Sequence, residues 1–237
     1  MSQVKTFDEL YSAMLAHYGN QGWWPLMDVK LGESSYSGKE ALSPIEEFEI
    51  AAGAILTQNV SWKNVDKCLL ALKRQGMMNP KKLHKAEHGE IAVLIRSAGY
   101  YNQKTRKLKN FLDWFKSEKY SFAGMKKTDD ETARRKLLDI NGIGPETADS
   151  ILLYAVQKKT FVVDAYTKRQ LARMGFIEDG YSYEELRSLF HKKFTGNLKD
   201  YKEFHALFVR HGKNFCSKKP LCGACFLSNS CSMRFSS

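Results

Sequence analysis

Four of the five cysteines in this 237-residue chain crowd into its last stretch, as Cys216, Cys222, Cys225 and Cys231. Their spacing is C-x5-C-x2-C-x5-C, in a lysine-flanked segment. Four soft ligands at such spacing suit a [4Fe–4S] cluster or a structural zinc held by four thiolates, and chemistry alone does not separate the two. A reducing compartment argues for either over disulfides. Upstream, Gly142-Ile143-Gly144 lies between two expected helices, at about 129–139 and about 145–157. The glycines permit backbone angles that other residues resist, and N–H groups near a helix N-terminus suit a phosphate. An ordinary helix corner, with glycines for close packing, reads equally well. Asp164 follows the apolar run Phe161-Val162-Val163 and precedes a further helix. It suits an N-cap, and a helix N-terminus also holds a carboxylate ionised.

The elements that must position these residues read as helices. Thr6-x-x-Glu9, Thr128-x-x-Glu131 and Ser182-x-x-Glu185 have the form of capping boxes. Ser61 can cap a helix carrying Val65, Cys68, Leu69 and Leu72 on one face, where Cys68 reads as a core residue. Leu108, Phe111, Leu112 and Phe115 form another apolar stripe, and Pro145 sits where a first-turn proline is tolerated. Only 160–166, TFVVDAY, reads as extended, and it is too short to imply a sheet. The expectation is an all-α fold of roughly ten helices. Residues 30–44 are the loosest connection.

Hydrophobic residues make up 43%, enough for a core, and the formal net charge of +11 favours a polyanionic partner. No window approaches the roughly eighteen apolar residues of a membrane span, and the N-terminus lacks a basic-then-apolar signal pattern. An intracellular protein is expected, cytoplasmic or in the nucleoid if prokaryotic, acting as a monomer without a membrane.

Leu-x-x-x-Gly-Ile-Gly-x-x-Thr-Ala before an apolar helix, with Val162-Val163-Asp164 eighteen residues after Glu146, resembles the helix–hairpin–helix DNA glycosylase superfamily of endonuclease III type. The similarity runs from about residue 45 to Cys231 and is nearest the 3-methyladenine branch. Trp23-Trp24 before Pro25 carries it there, as do Phe48-Glu49, the run Gly53–Asn59 and the run Gly99–Lys104. The resemblance implies two all-α parts with double-stranded DNA bound across a cleft: an N-terminal segment, 1–44, packing with the C-terminal part; a helical barrel, 45–140; the hairpin and catalytic helices, 141–210; and an iron–sulfur loop, 211–237.

It also implies roles. The cysteines would hold a [4Fe–4S] cluster, since His211-Gly212-Lys213 and Lys219-Pro220 look like the family's cluster loop, although the first spacing is one residue short. The loop would present Lys213, Lys218 and Lys219 to phosphates, or simply solvate them. Gly142, Ile143 and Gly144 would grip the backbone, Ile143 turning inward. Asp164 matches the family's catalytic aspartate, which stabilises the oxocarbenium-like sugar and orients the attacking water. Glu146 stands where strand-cutting relatives carry a Schiff-base lysine. A glutamate cannot form that adduct; it can contact the extruded base, hold a water, or serve only the helix dipole.

Gln58 matches the gap-filling glutamine and Tyr100 the wedge, the plain alternative for Tyr100 being a half-buried aromatic. Trp23, Trp24 and Phe48 would form an aromatic pocket for a cationic methylated base, unless they are core residues. Lys104, Arg106, Lys107 and Lys109 suit a phosphate grip, whereas acidic neighbours dilute Lys126, Lys127, Arg134, Arg135 and Lys136. The implied activity is a monofunctional glycosylase of base excision repair that hydrolyses an alkylated base such as 3-methyladenine from damaged DNA. Oxidised pyrimidine, mismatched uracil or thymine, and a non-catalytic DNA-binding module are the competing readings.

Overall fold

The computed structural model describes residues 4–178 and 180–235. The described residues include twelve α-helices and one short antiparallel ribbon. In chain order they begin with α1 (Phe7–Tyr18), β1 (Leu26–Asp28), β2 (Glu33–Ser35), α2 (Pro44–Leu56) and α3 (Trp62–Arg74). The chain continues through α4 (Pro80–Lys85), α5 (His88–Leu94), α6 (Tyr101–Ser117), α7 (Ala123–Lys127), α8 (Asp130–Leu138) and α9 (Pro145–Ser150). It closes with α10 (Ala165–Met174), α11 (Tyr183–Lys193) and α12 (Leu198–Asn214). The fold is all-α, as its sequence indicated. Among the described residues no helix is long and apolar enough to cross a membrane.

Local signals account for most boundaries. Thr6 and Ser182 complete the capping boxes of α1 and α11. Thr128 does not cap α8. Asp129 does, its carboxylate accepting from Thr132 N at 2.8 Å, because a charged acceptor one residue later offers the stronger bond. Pro145 opens α9 as its first residue. The apolar helix expected to run on from it stays α-helical only to Ser150 and continues as a π-helical segment, Ile151–Val156, ending on left-handed Gln157. The stretch 160–166 forms no strand; Phe161–Val163 run buried and irregular into α10.

The chain divides into two compact units, one taking the residues up to Trp23 and from Lys159 onward, the other Trp24–Lys158. Ribbon and hairpin both belong with the middle helices. The ribbon pairs Leu26 with Ser35 and Asp28 with Glu33. Glu49 accepts from Met27 N at 2.6 Å while Lys73 donates to Met27 O at 2.6 Å, and the two side chains pair at 2.6 Å. One ion pair thus satisfies both backbone groups of Met27 and fastens β1 to α2 and α3.

Within Trp24–Lys158, α2 is buried at every position from Glu47 to Leu56 and serves as the central helix. The π-helical segment, α6, α3 and α9 pack around it. Arg134 of α8 grips Asp149 of α9 through Nε at 2.9 Å and Nη2 at 3.1 Å, deep in the interior. In the other unit α1 packs on α11 and α12. Phe7, Phe161, Phe190, Phe204 and Phe208 stack there into an aromatic core.

Candidate active site and nucleic-acid interface

The hairpin is built by Ile140–Gly144 between α8 and α9. Gly142 takes φ +97°, a left-handed conformation that side chains resist, whereas Gly144 is extended at φ −91°, ψ 176°. Ile143 is buried, its N–H donating to Ile140 O at 3.0 Å, so it turns inward and closes the corner. Asn141, Gly144, Pro145 and Glu146 are exposed on the outer side of the turn. Glu146 lies in the first turn of α9, where a negative charge complements the helix dipole.

Gln58 lies in the turn after α2, beside the hairpin. Its Nε2 donates to Gly142 O at 3.2 Å and to Thr147 Oγ1 at 2.9 Å, and its Oε1 accepts from Lys107 Nζ. Asn59, next in the chain, has φ +54°. Tyr100 caps α6 at φ 45°, ψ 35°, and is 76% exposed. A large aromatic held in the left-handed region and pushed into solvent is a strained arrangement, of the kind that accumulates at functional positions.

Several of the lysines and arginines expected on phosphates or in solvent bond to the protein itself. Lys104 is buried and donates to Leu56 O at 2.8 Å and Ala98 O at 2.7 Å; burial pushes its ammonium down to about 8. Lys109 donates to His84 O and Ala86 O. Arg134 pairs with Asp149, Lys136 with Glu118 and Lys126 with Glu47.

Of the three aromatics expected in a base pocket, Phe48 has no exposed surface. Its ring stacks with Phe111 and Phe115 in the core, because α2 is enclosed on all sides. Trp24 is half-buried, edge-on to Trp62 at 5.3 Å and close to Tyr154 and Gly53. Trp23 is half-buried and ends the first segment of the other unit. There Glu203 accepts from Gln21 N at 2.6 Å and Gly22 N at 3.1 Å, which fixes the chain leading into Trp23.

Asp164 is the N-cap of α10, Oδ1 accepting from Thr167 N at 2.7 Å. Oδ2 lies 3.7 Å from His205 Nε2 of α12. Burial works to raise this carboxyl, but the hydrogen bond and charge of His205 and the Thr167 contacts outweigh it and hold the group below the usual carboxylate range. His205 had no local signature. Only the buried face of α12, with Phe204, Phe208 and His211, could have turned it inward from the sequence. Lys213, exposed on the last turn of α12, has its ammonium lowered by partial burial and then by Arg210, with Asp164 opposing.

Cys216, Cys222, Cys225 and Cys231 line one hollow together with His211 and Arg173. Burial first, then the other three cysteines, raise the Cys225 thiol. Among the described residues no three histidine, cysteine or acidic side chains converge as they would around a single metal ion. Arg173 Nη1 lies 3.4 Å from Cys216 Sγ, and His211 Nε2 lies 3.6 Å from Cys225 Sγ. The loop is tied down by Arg169 Nε to Cys216 O at 2.9 Å and Arg173 Nη1 to Ser217 O at 2.6 Å. Lys218 and Lys219 are exposed on it. Cys68 is buried elsewhere, beside Ser97 Oγ at 3.0 Å.

The sequence model of the HhH-GPD superfamily base excision DNA repair protein matches residues 52–195. A Methanocaldococcus jannaschii protein, provisionally named a DNA repair glycosylase, is 41% identical over 225 residues, covering 94% of each chain. Endonuclease III of Sulfolobus acidocaldarius is 29% identical over 189 residues, covering 78% of this chain and 81% of that one. The solved structure of the H. pylori 3-methyladenine DNA glycosylase bound to 1,N6-ethenoadenine is similar at a TM-score of 0.69 and 31% identity, over 86% of this chain and 96% of that one.

Proposed function

Because this chain belongs to the HhH-GPD superfamily of base excision DNA repair glycosylases, we propose that it is a monofunctional DNA glycosylase acting as a monomer inside the cell on double-stranded DNA. It would extrude an alkylated base such as 3-methyladenine and hydrolyse its bond to the sugar. The observation that carries this reading is Asp164: a carboxylate at a helix N-terminus, below its ordinary range and backed by His205. As the bond to the base lengthens, positive charge gathers on the sugar, and a carboxylate already ionised and fixed stabilises it without reorganising. The same oxygens orient a water and take its proton as it attacks. An N-alkylated purine already carries positive charge and leaves readily, so one carboxylate and a selective pocket suffice.

Glu146 supports hydrolysis without strand cutting, since a carboxylate cannot form the Schiff base through which a lysine at that place would act. Trp24, and Trp23 with it, are the candidates to receive the base, because ring faces attract a cation. Gln58 and Tyr100 are assigned the gap and the opposite strand. Gly144 is the N-cap of α9 and an added Cβ there meets nothing within 4 Å, so the turn is open to an approaching phosphate. Four cysteines around one hollow suit a [4Fe–4S] cluster or one zinc ion, and the likeness of His211-Gly212-Lys213 and Lys219-Pro220 to the family's cluster loop favours the cluster. Such a cluster would staple the C-terminal loop and set Lys213, Lys218 and Lys219 toward DNA, taking no part in the hydrolysis.

The test is a base-release assay on duplexes carrying alkylated, oxidised or mismatched bases, with and without alkali. Alkylated duplexes should break only after alkali. The Asp164→Asn variant should bind the same duplex yet release base roughly 10²–10³-fold more slowly. Strand breaks without alkali would support a second reading, an endonuclease III-like lyase, to which the S. acidocaldarius relative lends weight. No release from any lesion would leave a DNA-binding module.

A further inference from the structure

The basic run of α6 reads in the sequence as a phosphate grip, yet three of its four members, Lys104, Lys107 and Lys109, are turned onto the protein. Two of them meet the segments assigned to DNA. Lys104, 3% exposed, donates to Leu56 O at 2.8 Å and Ala98 O at 2.7 Å. Leu56 lies two residues before Gln58, and Ala98 two residues before Tyr100. Leu56 O is among the last carbonyls of α2, the end of a helix that an ammonium complements.

Lys107 lies one turn further along the same face. It donates to Gln58 Oε1. An ammonium offers no acceptor, so the amide oxygen must face it, and Nε2 is thereby aimed at Gly142 O and Thr147 Oγ1. The lysine stem also covers the hairpin, where a Cβ on Gly142 would stand 2.5 Å from Lys107 Cγ. Asn59 and Tyr100, both left-handed, sit beside these anchors. Strained backbone persists only where its surroundings over-determine it.

We infer that Lys104 and Lys107 are positioning residues and not phosphate ligands: from one face of α6 they hold the Gln58 turn, the Gly99–Tyr100 turn and the hairpin in a single rigid frame. What the frame serves rests on the glycosylase reading, since plug, wedge and phosphate grip would then meet DNA as one piece. The frame itself is a property of the free protein, and it can be examined without DNA.

The decisive variant is Lys107→Met, which keeps the stem over Gly142 and removes the ammonium. In the free protein, the Gln58 side-chain amide followed by 15N NMR should shift and exchange its protons about ten-fold faster than in the wild type. An unchanged amide overturns the inference. On DNA, the slope of log affinity against log salt should stay as in the wild type, while kcat for base release falls about ten- to a hundred-fold with KM little altered. A slope reduced by about one makes Lys107 a phosphate ligand and also overturns it. Should the wild type release no base at all, the glycosylase reading fails, and amide exchange and salt slope still decide the frame. Lys104→Met should loosen the Gln58 amide in the same way; if that variant does not fold, Lys107→Met alone decides.

Discussion

Arg134 and Asp149 meet in a two-pronged ion pair, at 2.9 and 3.1 Å, that joins the helices on either side of the hairpin, both side chains being buried. Removing one partner strands a buried charge. Arg134→Ala should therefore destabilise the fold by about 3–5 kcal/mol, read from urea unfolding. The double change Arg134→Met with Asp149→Leu should recover most of that. If the double variant is no more stable than the single one, the pair contributes more than the removal of a stranded charge.

Asp164 separates stability from activity. Asparagine can still cap α10, so Asp164→Asn should unfold within about 1 kcal/mol of the wild type at pH 7 while base release collapses. The folded carboxyl sits below its ordinary value, so its contribution is complete above the usual carboxylate range and is lost as pH falls through the folded value. The stability gap between wild type and Asp164→Asn should close as pH falls below the usual carboxylate range. A gap that widens on acidification would have the sign reversed.

The two hairpin glycines should respond in opposite ways. Gly142→Ala forces a side chain into φ +97° and against Lys107, and should cost about 1–3 kcal/mol in thermal unfolding. Gly144→Ala enters extended backbone and open space, so the melting temperature should hold while affinity for duplex DNA, read by fluorescence anisotropy, drops. Equal affinity for Gly144→Ala and wild type would remove the phosphate from that turn.

Protein purified without oxygen should be yellow-brown and contain iron and inorganic sulfide in equal amounts. Cys225→Ser should bleach it, whereas Cys68→Ser, buried in the other unit beside Ser97, should not. A colourless preparation carrying zinc would replace the cluster with a four-thiolate ion site.

Tyr100 carries backbone strain that glycine would not. Tyr100→Gly should leave stability within about 1 kcal/mol of the wild type, and on the higher side if the released strain exceeds the added chain entropy. Release of base from duplex DNA should fall while release from a flexible single strand is spared. Loss on both substrates would speak against the wedge.

What the sequence disclosed was what neighbours in the chain decide. The boxes at Thr6 and Ser182, Pro145 at the head of its helix and the turn at Gly142 are bonds made within a few residues. Resemblance assigns Phe48 to a pocket, with core packing as the alternative, and its full burial agrees with the core. Glu47 and Glu49 are paired with Lys126 and Lys73, and the helix is enclosed. The lysines of α6 read as phosphate ligands because charge advertises solvent, whereas their carbonyl partners lie on other elements, at the end of α2, on α4 and in the turn before α6. His205 beside Asp164 depends on α10 and α12 being adjacent, which no local pattern records.

The unit that holds Asp164 is assembled from two separate stretches of the chain, with Trp24–Lys158 inserted between them. During synthesis the inserted unit emerges whole and can fold while the ribosome is still working. Helix α1 has no such option. Its aromatic partners on α11 and α12 are made only after the whole of Trp24–Lys158, so α1 must wait for them, and the carboxylate is set only once α12 has followed α10.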